Sequence, residues 1–295
     1  MFFRATDRPQ STDSLCLLSK RLPAISIGAC LAISLLATLP MRPALGGSRF
    51  AGVSISPGAT VRVDVPLSPA EKSYAGDALR KIPSNAVAVI AVPRNFDPHK
   101  IWPVLVVFST TDFKRLNRDD LVEFYRNAAL AEGWVILAGD GREFQSRDTN
   151  GWRAAMTLAA LDALHTSFPG SNRWPLAVAG FSGGAKRASL LAPFLSLKGC
   201  QLCGIYLSGV NEDFLSVAYR KARMGTEFLR TPVFLSSGLT DPIAPPDRAH
   251  LVERSLKHTG FLRVRFESFP QGHAVKNDHT LEALRWFRAT ADISR

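Results

Sequence analysis

Repeats, clustered cysteines and long apolar runs are all scarce in this chain, and each shortage removes a class of protein. No internal repeat, heptad series or low-complexity tract occurs, which argues against a solenoid or a coiled coil. The apolar, uncharged stretch from Ala24 to Leu39 falls short of the ~20 residues that a membrane-crossing helix needs. Cysteine is sparse, at four in 295 residues. Cys16 and Cys30 lie near the start, leaving Cys200 and Cys203 in "GCQLCG". With no second CxxC pair a zinc site lacks ligands, and with no strand-to-helix start around it a thioredoxin-type redox centre lacks its context. Aromatic residues do not accompany the scattered basic ones, so no nucleic-acid surface is expected. Charged residues make up only 21% against 46% hydrophobic, a balance that excludes global disorder.

What is present divides into two kinds of sequence. In residues 1–46, Lys20 and Arg21 precede "LPAISIGACLAISLLATLP", and the small-residue exit "MRPALGG" follows. Basic flank, apolar centre and small residues, in that order, predict a secretory signal peptide cut near "ALGG". No lipid-attachment cysteine follows the small residues. Export to the periplasm or the medium is the expectation, with an uncleaved membrane anchor through residues 24–39 as the alternative. The net charge is +11, and 31 basic against 23 acidic residues remain after the leader, a surplus of eight. That surplus favours anionic surroundings only in a general way. In an exported protein, Cys200 and Cys203 are expected to form a local disulfide, with two free buried thiols as the other outcome.

Residues 47–295 read as one domain, without a linker to split them. "ATVRVDVPL" alternates as an edge strand does, and "NAVAVIAVP" follows as its antiparallel partner. "WPVLVVFST" is a continuous apolar run suited to a strand buried on both faces. Helical and strand-like segments then alternate: "RDDLVEFYRNAALAEG", "WVILAGDG", "NGWRAAMTLAALDALHTSFPG", "WPLAVAG" and "GGAKRASLLAPFLSL". "LCGIYLSGV" and "TPVFLSSG" are two further strands, separated by the mixed stretch 211–230. A helix in "PPDRAHLVERSLKHTG", a strand "LRVRFESF" and a helix "HTLEALRWFRA" complete the series. Such alternation predicts an α/β fold, a mainly parallel sheet of about eight strands with five or six helices.

The chemistry is concentrated at "GFSGGA". Ser182 follows a buried strand and precedes a helix, where a reactive group stands beyond the carboxyl end of a parallel sheet. To lift its hydroxyl there, the serine needs a strained backbone, and strand and helix come so close that the neighbours must be small. Gly180, Phe181, Ser182, Gly183 and Gly184 supply the G-x-S-x-G corner, with the Gly183 N–H at the helix N-terminus. A serine hydroxyl needs a base to take its proton. Of six histidines, His165, His250 and His258 fall inside helices, His99 precedes a strand, and His279 starts the final helix. His273 alone lies in a loop after the last strand. Asp241, in "LTDPIAPPD" after the strand "TPVFLSSG", is the carboxylate expected to orient it. Glu212 and Asp213 are the alternative acid, and Asp247 is expected to begin the next helix. The oxyanion needs two backbone donors: Gly183, and Thr110 or Thr111 in the loop after "WPVLVVF".

With Ser182, Asp241 and His273 in this order, the chain resembles the α/β-hydrolase superfamily over nearly all of residues 47–295. "AVPRNFDPHKIWPVLVVFS", "GFSGGAKRAS", "SSGLTDP" and "PQGHA" are similar to esterases of the polyhydroxybutyrate-depolymerase-like and dienelactone-hydrolase-like group. The resemblance implies an acyl-enzyme mechanism on a carboxylic ester, with no metal and no organic cofactor. A small-molecule or polymeric ester is then the expected partner. Ser182 argues against dienelactone hydrolysis, which uses a cysteine. Ser109, Thr110 and Thr111 stand where members often carry His-Gly or Gly-Gly, and 211–230 is short for a lipase cap. Trp152, Phe181 and Phe113 are candidates to line a pocket. A serine peptidase on the same scaffold and a catalytically silent binding protein are the remaining readings.

Overall fold

The computed structural model describes residues 48–76, 82–143 and 149–291. The expected leader, with its possible anchor at 24–39, lies outside the described residues. Residues Gly46–Arg295 form one compact unit. Among the described residues, no helix is long and apolar enough to cross a membrane.

The chain begins with a short hairpin, β1 (Arg49–Phe50) and β2 (Val53–Ser54), and continues into β3 (Thr60–Pro66). Helix α1 (Pro69–Ala75) leads to β4 (Asn85–Ala91) and β5 (Val104–Phe108). A composite helix follows: α2 (Asn117–Asp120), a wider π turn at Leu121–Tyr125, and α3 (Arg126–Ala131). Next come β6 (Val135–Asp140), α4 (Asn150–Ser167), β7 (Leu176–Phe181) and α5 (Gly183–Leu197). The chain ends with β8 (Leu202–Ser208), α6 (Phe214–Lys221), β9 (Val233–Gly238), α7 (Pro246–Thr259), β10 (Val264–Phe269) and α8 (Asn277–Thr290).

Eight strands make one sheet in the order β10-β9-β8-β7-β5-β6-β4-β3. From β10 to β6 neighbours run parallel; β4 is antiparallel to both β6 and β3. The central strands are mainly apolar because helices cover both faces, and "VLVVF" in β5 is buried throughout. On one face Trp152, Ala155 and Leu164 of α4, Ala188 and Leu195 of α5, and Val252 and Leu256 of α7 form the larger core. On the other, Leu121, Tyr125 and Ala129 of the composite helix join Leu284 and Phe287 of α8. The edge strand β3 alternates instead, burying Val63 and Val65 while Arg62 and Asp64 face outward.

The expected strands are all present. The hairpin at 49–54 and helices α1 and α6 lie where the sequence showed no regular element. Both helices are short and owe much to their first turns. Ser68 Oγ accepts from Glu71 N–H while Glu71 Oε2 accepts from Ser68 N–H, at 3.2 and 2.5 Å. Asp213 caps α6 by accepting from Ser216 N–H at 2.9 Å.

The expected Cys200–Cys203 disulfide is not formed; both thiols are free. The two residues pack into opposite layers. Cys203, on β8, joins the core beneath α8, whereas Cys200, just before the strand, packs against the α4–α5 side. An odd separation along extended chain turns side chains to opposite faces, so no bridge can form without twisting the strand over. Burial pushes the Cys200 thiol up to about 11 and the Cys203 thiol up to about 12, which leaves both as inert thiols. Alkylation under denaturing conditions without reductant is therefore expected to modify both cysteines. Recovery of the 200–203 peptide as a cross-linked, unmodified species would contradict the arrangement.

Candidate active site

The corner between β7 and α5 is built on close backbone approach. Ser182 has φ 55° and ψ −118°, a conformation that costs a non-glycine residue about 1–3 kcal/mol. Its N–H is held by Ser208 O of the adjacent strand β8 at 2.9 Å, and its own carbonyl accepts from Ala185 N–H at 3.0 Å. A Cβ on Gly180 would stand 2.1 Å from Gly184 O, and one on Gly184 would stand 2.2 Å from Phe108 O. Neither position can hold a side chain while α5 leaves the sheet at this height.

Asp241 and His273 meet at the same edge. Asp241, in the turn after β9, is 3% exposed. Its Oδ2 lies 2.7 Å from His273 Nδ1, and its Oδ1 accepts the N–H groups of Ile243 and Ala244, each at 2.8 Å. Burial alone would raise this carboxyl; the Ala244 N–H, the imidazole and the Ile243 N–H outweigh it and hold the group below its ordinary value. Asp241 is thus ionised at neutral pH and anchors Nδ1 of the ring, leaving Nε2 free of it.

The imidazole is placed beside the elbow. The Phe181 and His273 rings lie 4.5 Å apart between centroids. Gly209, at φ 60° after β8, makes room: a Cβ there would stand 3.0 Å from both His273 Cε1 and Phe181 Cε2. Ser182 Oγ itself makes no hydrogen bond to another described residue. Unengaged hydroxyls of this sort are common where the partner interaction tightens only with substrate bound.

The loop after β5 reaches the elbow through Thr110. A Cβ on Gly183 would stand 2.5 Å from Thr110 Oγ1 and 3.3 Å from Thr110 Cα. Thr110 Oγ1 donates to Asp112 Oδ2 at 2.9 Å, so the hydroxyl is turned back on its own loop. Thr111 is one residue further on, preceding the turn at Asp112–Lys114. Of the two threonines, Thr110 is the one in contact with Gly183.

Several expectations are redistributed. Asp213 is committed to capping α6, and Glu212 is an exposed partner of Lys186 at 3.5 Å, so neither acid is the partner of His273. Asp247 sits in the first turn of α7, and His279 in that of α8. Trp152 is 2% exposed, in the core on the α4 face of the sheet. Its indole is too large to be spared from the apolar layer. Phe181 is half-buried against His273 and against Phe124, 5.6 Å away. The Phe113 side chain lies outside the described residues. Among the described residues no group of three or more His, Cys, Asp or Glu is arranged to hold a metal ion. A cavity of about 580 Å³ lined by Thr60, Arg94, Arg126 and Leu130 shares no residue with this site.

Sequence reasoning missed a buried polar cluster under the loop. Asp140, at the end of β6, accepts the N–H groups of Asn117 and Arg118 at 2.8 Å each and lies 3.2 Å from the Arg153 guanidinium. Asn117, Arg153 and Asp140 are each at most 1% exposed. The only sequence signal is an aspartate closing an otherwise apolar strand, "WVILAGD".

No protein-family model and no curated protein matches the chain. Solved structures do. A ferulic acid esterase aligns at 17% identity over 79% of this chain and 98% of that one, with a TM-score of 0.50. A bacterial heroin esterase aligns at 14% identity over 79% and 84%, with a TM-score of 0.52. A bifunctional GH43-CE protein of Bacteroides eggerthii aligns at 14% over 78% of this chain but only 38% of its own, with a TM-score of 0.53. Together with the strand order, they decide the architecture. The chain has the α/β-hydrolase fold. At these identities the likeness is one of fold, and function is argued from the site.

The composite helix beside the site carries a titratable group with a readable consequence. Asp120 is 1% exposed, and its carboxyl is pushed up to about 6 by burial, against the pull of Arg115 at 2.7 Å. Above its unfolded value near ~3.9, the folded protein therefore binds the extra proton, and this contribution to stability is lost as pH rises through about 6. The melting temperature of the wild type relative to Asp120→Asn is expected to rise as pH is lowered from 7 to 4. A wild-type melting temperature that falls relative to Asp120→Asn over that interval would contradict the assignment.

Proposed function

We propose that this chain is a serine hydrolase that cleaves a carboxylic ester through an acyl-enzyme, with Ser182, His273 and Asp241 as its catalytic triad. The observation that carries the reading is the 2.7 Å contact between His273 Nδ1 and Asp241 Oδ2 beside a serine held at φ 55°. Structural wear on a loop histidine would not require a buried, doubly N–H-bonded carboxylate. The names of the neighbours, a ferulic acid esterase and a heroin esterase, lend support to an ester as the substrate.

The steps follow from the geometry. His273 Nε2 takes the Ser182 hydroxyl proton as Oγ attacks the ester carbonyl. Asp241 keeps the proton on Nδ1 and stabilises the imidazolium as it forms. The carbonyl oxygen becomes an oxyanion and is received by Gly183 N–H, at the first turn of α5, and by Thr110 N–H. Neither N–H donates to a described residue in the free protein. Collapse of the tetrahedral adduct expels the alcohol, which takes its proton from His273. Water then repeats the sequence on the acyl-enzyme, with His273 as base, and releases the acid and Ser182.

The reading extends to location. Residues 1–46 act as a cleaved signal, so the mature enzyme works outside the cytoplasm. Two thiols with raised pKa, one buried and one half-buried, suit such a place because little thiolate is present to oxidise.

Ser182→Ala is expected to lower turnover of short p-nitrophenyl esters by ~10⁴-fold or more while leaving the circular dichroism spectrum and melting temperature in place. A fluorophosphonate probe should label the wild type at Ser182. Retained turnover in the variant, or labelling elsewhere, would remove the nucleophile assignment. After cell fractionation the protein should be found outside the cytoplasm with an N-terminus near residue 47; a start at Met1 on that protein would remove the cleavage, and recovery in the cytoplasm alone would remove the export assignment.

A further inference from the structure

The loop that supplies the second oxyanion donor has one backbone bond of its own, from Arg115 N–H to Asp112 O at 3.2 Å, and its first residue is held by a side chain. β5 ends at Phe108, and the next N–H, that of Ser109, leaves the ladder. A side chain receives it: Asn117 Oδ1, at 2.9 Å. The same amide donates from Nδ2 to Gly139 O at 2.9 Å, and the Asn117 backbone N–H reaches Asp140 Oδ1 at 2.8 Å. One residue at the start of α2 thus fastens the loop's first residue to the end of β6.

Arg153, reaching in from α4, clamps this residue. Its Nη1 lies 2.5 Å from Asn117 Oδ1, 3.2 Å from Asp140 Oδ1 and 3.4 Å from Ser109 Oγ. Its Nη2 donates to Arg115 O at 2.9 Å, near the loop's far end. Both ends of the segment from Ser109 to Asn117 are therefore tied to one guanidinium. Burying an arginine and an aspartate to this degree is a poor route to stability, because desolvation offsets much of the attraction. What such a cluster provides is a fixed geometry.

The geometry it fixes is that of Thr110. With Ser109 N–H turned into Asn117, the next residue is carried against Gly183, and its hydroxyl is diverted to Asp112. Neither the Thr110 nor the Gly183 N–H donates to a described residue, and Thr110 lies against Gly183 at the start of α5. Resting on the reading of Ser182 as nucleophile, we propose that Asn117, clamped by Arg153, is a positioning residue that aims Thr110 N–H at the developing oxyanion. It touches no substrate. Its effect belongs to the transition state, since a donor displaced by an ångström still admits the substrate but receives the charge poorly.

The test uses Asn117→Ala, Arg153→Met and Arg153→Lys in the full chain. It combines p-nitrophenyl butyrate kinetics, melting temperature and the affinity of an alkyl trifluoromethyl ketone. That ketone adds to the serine and carries the same oxyanion. In Asn117→Ala, kcat is expected to fall by ~10²–10³-fold with KM within about threefold of wild type, and the ketone's inhibition constant to rise by the same factor as kcat/KM falls. Arg153→Lys, which keeps the charge beside Asp140, is expected between wild type and Arg153→Met. A folded Asn117→Ala that keeps its kcat would overturn the proposal. So would one that loses kcat with ketone affinity unchanged, since a purely structural defect would do that. If Asn117→Ala does not fold, Arg153→Lys is judged by the same two numbers. A wild type that fails to add the ketone at Ser182 would instead overturn the reading of the nucleophile, on which this proposal stands.

Discussion

The arrangement depends on how closely the first turn of α5 approaches the carboxyl ends of β5 and β7. Gly180 and Gly184 permit backbone to rest directly on backbone, and a single methyl group at either position would push the helix away. Two consequences follow from that contact. The helix N-terminus, with its unsatisfied N–H groups and partial positive charge, lies over the sheet's rim, and Ser182 is forced into a left-handed turn that lifts its hydroxyl clear. The strain is modest beside the burial of β7 and α5, where Leu176, Val178, Ala185, Ala188, Ala192 and Leu195 are withdrawn from water.

Around this fixed corner, the other groups arrive on loops that are individually pinned. Asp241 is held by two N–H groups of its own turn, so its position does not depend on His273. Ser208 Oγ donates to Ala274 O at 3.4 Å, which ties the histidine loop to the strand beside the elbow. Gly209 leaves the imidazole space to lie against Phe181. The site is an assembly of separate constraints that share one sheet edge.

Much of this was legible in the sequence, and the reasons differ by element. β5, β6 and β7 announced themselves because strands buried on both faces are apolar nearly throughout. The elbow was legible because only glycine tolerates the approach on either side of Ser182. Asp241 and His273 were found by address, as the acid and the histidine in loops after strands. The hairpin at 49–54 and helices α1 and α6 were illegible, being too short to carry a period and fixed by capping and tertiary contacts. That Thr110 rather than Thr111 lies against Gly183 was not legible either, because backbone placement leaves no trace in side-chain identity. Asn117 and Arg153 were hidden for a related reason. An asparagine opening a helix and an arginine within one look like surface residues until the fold folds them inward.

The two cysteines show how strand geometry can overrule proximity in sequence. Three residues apart, Cys200 and Cys203 are divided by the thickness of the sheet. Their sulfurs are walled off from each other by the β8 backbone itself. The domain accordingly draws no cohesion from a covalent crosslink, and its completion requires neither an oxidant nor an isomerase.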